Sequence, residues 1–234
     1  MAQLEEAIRY PMASDDLVKT LLIGGGFFIF SFLIIPAILV YGYLITVIRS
    51  SLDGKPEPPV FEDWGGLLRK GILAWVIGIV YMIVPIIVAS VTVGGSIAAF
   101  ATGSGAGQAM GVAGLLGGLG LSFILTLLFG YFAVVAVVNF ARTDELGAAF
   151  DFSTIRAVAM DGDYFGPWLL SVVVFIIASV IGGVLNVVPI LGAIVGLFVF
   201  FYAQIVAANL WADGFAAAFD GEVSEPSPVE DPAV

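Results

Sequence analysis

Histidine and cysteine are both absent from the 234 residues of this chain. Without histidine there is no Ser/His hydrolase pair, no imidazole ligand for a metal and no axial histidine for haem. Without cysteine there are no disulfides and no thiolate metal sites, and the redox compartment stays open. Charge is also scarce, at 12% of residues against about 25% in an ordinary soluble domain. The shortage is concentrated in three places: residues 20–48, 71–141 and 164–212 contain no Asp, Glu, Lys or Arg. Nor is there a G-x-G-x-x-G, a Walker A loop or a G-x-S-x-G elbow. Gly103-Ser104-Gly105 comes nearest to a catalytic serine, and its flanks do not fit.

What fills the space is apolar, 60% of the chain. Each uncharged block exceeds the run of about 20 apolar residues that crosses a bilayer. A membrane barrel would alternate apolar and polar residues over segments of about ten, whereas these runs are apolar on all sides. The expected fold is therefore all-α, a polytopic transmembrane bundle of five or six spans. Residues 1–16 read as an interfacial amphipathic segment, 17–221 as the transmembrane domain and 222–234 as a disordered acidic tail. Leu4, Ala7 and Ile8 share one face of a short helix ending before Pro11.

One stretch occurs twice. Val76 to Ala89 reads VIGIVYMIVPIIVA and Val180 to Ala193 reads VIGGVLNVVPILGA, agreeing at eight of fourteen positions with Pro85 and Pro189 in register. Proline suits the first turn of a helix, so Pro189 is expected to open one. By register Pro85 could also mark a turn, which is what leaves the count between five and six. Leu17 to Ile48 would measure about 48 Å as a straight helix, so it has to tilt, kink or fold back. Gly24-Gly25-Gly26 and Pro36 are the expected break points, and Ser14-Asp15-Asp16 the expected N-cap.

Polar segments punctuate the spans. Phe61-Glu62-Asp63-Trp64, Phe150-Asp151 and Phe219-Asp220 repeat an aromatic-plus-acid signature, read here as interfacial anchors: Phe61, Asp63, Trp64, Phe150, Asp151, Phe219 and Asp220. The chain thus reads as a loosely repeated unit of span, polar turn and interfacial aromatic. Gly103, Gly107, Gly111, Gly114 and Gly118 recur at intervals of 4, 4, 3 and 4. On a helix this is a stripe along which two membrane helices can approach closely, either within the chain or in a homo-oligomer. A flexible loop is the competing reading for its first half.

Asn139, Asn186, Gln204 and Asn209 are the polar candidates within the apolar runs. Such amides usually bond a neighbouring helix, and a polar pocket is the sharper alternative. Acid pairs such as Asp15/Asp16, Glu62/Asp63 and Asp161/Asp163 read first as solvated surface. No cofactor, metal or nucleic acid is implied; the expected partners are the lipid bilayer and other membrane proteins. The net charge of −11 owes six acids to residues 213–234 alone, which reads as a solvated tail and fits a host with salty cytoplasm. Arg49, Lys55, Arg69, Lys70, Arg142 and Arg156, six of the eight bases, fall in the polar loops 49–70 and 142–163. The positive-inside rule then puts those loops and the C-terminus in the cytoplasm.

Leu4-Glu5-Glu6-Ala7 with Tyr10-Pro11, Leu33 to Ala37 through Tyr41-Gly42-Tyr43, Arg49-Ser50 to Asp53-Gly54, and Phe61 to Trp64 together resemble the domain of unknown function 4013 family. That resemblance implies a multi-pass membrane protein of a kind frequent in archaea, especially haloarchaea, with no assigned activity. The expected function is a non-enzymatic role in the cell membrane, structural, assembly-related or regulatory. The alternative is a transporter or channel for a small solute or lipid, built on the two proline segments.

Overall fold

The computed structural model describes residues 2–30 and 32–224. Among them are α-helices only, joined by turns: α1 (Ala2–Arg9), α2 (Leu17–Ile29), α3 (Ile34–Leu52), α4 (Trp64–Ala101), α5 (Gly105–Thr143), α6 (Phe152–Met160), α7 (Gly162–Leu185) and α8 (Pro189–Ser224). Short 3-10 turns follow α1 at Tyr10–Ala13 and α5 at Leu146–Phe150. Five stretches are long and apolar enough to cross a membrane: α3, α4, α5, α7 and Ile190–Phe219 of α8. The chain is an all-α polytopic bundle, with five candidate spans among the described residues. The region expected as one domain separates into two compact units, residues 1–75 with 135–234, and residues 76–134.

In the first unit α8 is the hub, packing against α7, α3, α2, α1 and α6. Small residues face it: a Cβ on Gly24 would lie 2.1 Å from the Phe201 ring, and one on Gly25 2.2 Å from Phe198. The glycine triplet is thus a helical platform for α8 rings, not the expected break. The break comes at residues 30–33, and Pro36 explains it. Pro36 sits three residues into α3, in the first turn, where its missing N–H has no helical partner to lose. At 13 residues α2 is about 20 Å long against a hydrocarbon core of about 30 Å, too short to span. Because Tyr10, just ahead of α2, lies beside Ser50 and Ser51 at the end of α3, the α2–α3 pair starts and finishes at the same end of the first unit. Its tip is greasy, with Phe30, Phe32 and Leu33 all exposed.

The expected N-cap is shared: Asp16 holds the cap position of α2 without a side-chain bond, and the Ser14 hydroxyl accepts from the Asp16 N–H at 3.2 Å. α1 ends before Pro11 as expected, and its apolar face is covered at Ala7 and partly at Leu4 while Ile8 stays exposed. Ala7 is buried in one cluster with Val174, Ala178, Ala203, Val206 and Leu210, so protein, not lipid, holds that face. α3 and α4 cross at reciprocal glycines. A Cβ on Gly42 would sit 1.9 Å from the Leu67 carbonyl oxygen, and one on Gly71 1.9 Å from that of Ile38. Only hydrogen at both positions lets the backbones meet.

The second unit holds an antiparallel pair, residues 76–101 of α4 and 105–134 of α5. The glycine stripe lies inside it. A Cβ at Gly118 would meet Thr92 at 1.6 Å, at Gly111 the Phe100 ring at 2.8 Å and at Gly114 the Ser96 hydroxyl at 3.0 Å. The expected homo-oligomer surface is therefore occupied by α4 of the same chain. Gly107 packs at the hairpin end, and Gly103 is off the stripe, left-handed in the turn at φ 64°. Pro85 lies inside α4, which continues to Ala101, so it creates no sixth span.

Candidate functional site

Polar side chains gather at one end of the first unit. The reason is helix termination. The last carbonyls of a helix have no internal partner, and here long basic side chains supply it. Arg49 Nε, from the last turn of α3, donates to the Ala141 carbonyl near the end of α5 at 2.9 Å. Asp144, one residue past α5 and left-handed at φ 62°, sits 3.3 Å from Arg69 and 3.9 Å from Arg49.

Asn139 belongs to the same lock. It is 1% exposed. Its Nδ2 donates to the Ala148 carbonyl at 2.9 Å, and its Oδ1 accepts from Arg142 Nε at 3.2 Å and Nη2 at 2.9 Å. The Arg142 guanidinium then lies 4.4 Å over the Phe219 ring and 6.0 Å from that of Phe215. Its Nδ2 ties α5 to the turn after it and its Oδ1 holds the Arg142 guanidinium within α5, so Asn139 is a tie between elements, not a pocket group.

The aromatic-plus-acid signatures resolve into two jobs. Asp63 Oδ1 accepts from the Gly66 N–H at 3.1 Å and caps α4. Asp151 caps α6, accepting from the N–H of Ser153 and Thr154, and their hydroxyls bond it as well. Those bonds, the Ser153 hydroxyl foremost, hold the Asp151 carboxyl below its usual range. Phe61 is buried, stacked on Tyr43 with centroids 4.0 Å apart. Its ring fills the core and cannot lie among headgroups, which corrects the anchor reading; Trp64, 48% exposed, keeps that role open. Phe150 is half-buried, Phe219 stacks on Phe215, and the Asp220 side chain lies outside the described residues.

A cavity of about 640 Å³ opens at this end, walled by α1, the end of α3 and α8, with Glu6, Tyr10, Ser51, Asn209 and Asp213 among its lining residues. Asn209, 7% exposed, donates from Nδ2 to the Ser51 hydroxyl at 3.1 Å. Tyr10, 8% exposed, has no hydrogen-bond partner for its hydroxyl among the described residues, though Ser50 and Ser51 stand beside it. Burial raises the Tyr10 phenol above its ordinary value; the serine hydroxyls oppose this and the Asp213 charge adds to it.

Of the four amides, only Asn209 reaches this cavity. Asn186 is exposed at the C-cap of α7, in an apolar groove with Phe28, Gly182 and Gly196. Gln204 is half-buried on α8. Asp213 and Glu6 were not singled out from sequence. Asp213 reads there as the first acid of the tail, yet it lies one turn beyond Asn209 on a helix that runs to Ser224. That i, i+4 pairing on an otherwise apolar helix was the available signal. Of the expected tail, residues 225–234 lie outside the described residues. Among the described residues no cluster of three or more acids has metal-holding geometry; Asp161 instead accepts from the Asp163 N–H at 2.7 Å, capping α7.

No curated protein and no solved structure matches the chain. A family model described as "Protein of unknown function (DUF4013)" matches residues 28–187, from the α2–α3 pair to the end of α7. With that model covering well over half of its length, the chain belongs to the domain of unknown function 4013 family.

Proposed function

We propose that this protein is a non-enzymatic membrane scaffold, structural, assembly-related or regulatory in role, whose working face is the polar end. The observation that carries this reading is the filled interior of the first unit. Tyr43, Phe140, Phe201, Ile205 and Leu210 are all fully buried, and Val40 and Val47 close the gaps between them. A path for solute would need polar, wetted groups at that depth. The polar groups instead converge at one end. Arg9 and Lys55 line the cavity there, Arg49, Arg69 and Arg142 gather around the end of α5 and the turn after it, and the turn at 186–188 of the same unit carries no charge. A unit with its bases gathered at one end and an uncharged turn at 186–188 inserts with those bases in the cytoplasm of the cell membrane.

Transport through the duplicated proline segments has less support, because Pro85 interrupts nothing and Gln204 and Asn186 do not share a cavity.

The natural absence of cysteine makes the test direct. Single cysteines at Ile205, Val206 and Ser51 are labelled with a membrane-impermeant maleimide in sealed vesicles of known orientation. Ser51→Cys should react from the cytoplasmic side, while Ile205→Cys and Val206→Cys stay unlabelled from either side. Rapid labelling of the latter pair, with solute flux above that of empty liposomes, would sink the scaffold reading.

A further inference from the structure

We propose that the cavity at the polar end binds an ammonium group, carried by a small organic amine or a lipid headgroup and held between the carboxylates of Glu6 and Asp213. The charges around it are uneven. Arg9 is committed to Glu5 at 2.8 Å and Lys55 to Asp53 at 3.5 Å. Among the described residues, neither Glu6 nor Asp213 has an ion-pair partner, so the cavity as it stands carries an excess of negative charge.

The hydrogen-bonding groups of the wall point the same way. An ammonium brings three donors and no acceptor, and the wall offers acceptors. Asn209 spends its Nδ2 on Ser51, which leaves its carbonyl oxygen to accept. The Tyr10 ring, more than nine-tenths buried, completes the wall behind it, its hydroxyl closed off beside Ser50 and Ser51. A bare metal ion fits less well, since a hard divalent cation collects six to eight oxygens and no cluster of three acids is present among the described residues. The volume of about 640 Å³ suits an organic guest, and Ala13 and Pro56 give an alkyl portion apolar wall to lie on.

The experiment takes the full chain, purified in detergent and in nanodiscs. Free ethanolamine and putrescine are titrated calorimetrically, and melting is compared in phosphatidylethanolamine and phosphatidylglycerol nanodiscs. Saturable amine binding assigns a diffusible amine. A higher melting temperature in ethanolamine lipid alone assigns a headgroup. In either case Glu6→Gln and Asp213→Asn should each weaken the effect at least about tenfold, while Glu145→Gln, on the exposed surface, changes nothing. If Asp213→Asn does not fold, Glu6→Gln on the exposed side of α1 decides alone. The proposal falls if neither probe acts, if Glu6→Gln binds like the parent, or if calcium chloride reproduces the stabilisation and loses it in the same variants. None of these readouts depends on whether the protein moves solute.

Discussion

The two copies of the proline segment share eight of fourteen residues and fold differently. Val76 to Ala89 lies within one unbroken helix; Val180 to Ala193 is cut by a three-residue turn, with Pro189 opening α8. Proline is common to both, so proline cannot be the cause. The differences that count are Ile79 against Gly183, Met82 against Asn186 and Val88 against Gly192. Asn186 takes the C-cap of α7, its N–H bonding the Gly182 carbonyl at 3.1 Å, and the chain turns back at once. Gly192 is what that turn demands, because a Cβ there would sit 1.8 Å from the Leu185 carbonyl oxygen. Val88 carries such a Cβ, so the first copy cannot close the same turn and stays helical through its proline. In lipid, an unbroken helix that forgoes one hydrogen bond is better than an open turn with several unpaired groups.

The largest effect should come from giving the second copy the valine of the first. Gly192→Val drives two branches against a backbone carbonyl that has no flexible side chain to yield. We expect a loss on the order of 3 kcal/mol or more, read as a sharp fall in thermal stability in detergent. A disulfide engineered between cysteines at Ala178 and Ala203, both in the buried α7–α8 cluster, should form in the parent and poorly in the variant. Retention of both stability and cross-linking would refute the steric account.

The converse exchange sharpens it. Ile79→Gly, Met82→Asn and Val88→Gly together supply the first copy with all three turn residues. Summed helix propensity falls by about 1 kcal/mol, mostly from the two glycines. The variant should open a turn near Pro85, seen as new maleimide reactivity of a cysteine at Ile83. Val88→Gly alone should not, since it removes the obstacle without supplying the cap.

This contrast also marks what could be read from the sequence. The uncharged blocks gave away a multi-span helical bundle because no other medium accommodates them, leaving the count between five and six, and Pro189 announced a first turn. Pro85 misled, since its register was read without the side chains around it. The return of the α2–α3 pair to one end was hidden for a related reason: Leu17 to Ile48 is apolar throughout, and glycine was weighed as a helix breaker when, against Phe198 and Phe201, it works as a packing surface. Phe61 and Asp213 were mistaken through neighbours in sequence, an acid beside the ring and acids beyond the helix. Their surroundings are set by α3, α1 and α8, contacts between residues far apart in the chain.

Replacing each proline by alanine separates the two roles further. Pro85→Ala restores one backbone donor inside α4 and should raise stability by about 1 kcal/mol, the soluble-helix penalty being partly relieved in membranes. Pro189→Ala, at a position whose N–H needs no helical partner, should change stability by less than about 0.5 kcal/mol. Equal responses would mean that the prolines, not their flanks, set the two outcomes.

A similarly small effect is expected at the cap. Asn186→Leu loses a residue type that tolerates the end of a helix but keeps the backbone bonds from 186 to 182 and from 187 to 184, so the cost should stay near 0.5 kcal/mol. Asn186 is exposed and lines an apolar groove, so leucine there should leave solute flux in liposomes at the background of the parent. A stably folded Asn186→Leu protein that lost a flux shown by the parent would reverse the order of the two functional readings. The helix break between α7 and α8 would then be a substrate site, and the unbroken copy in α4 its inert counterpart.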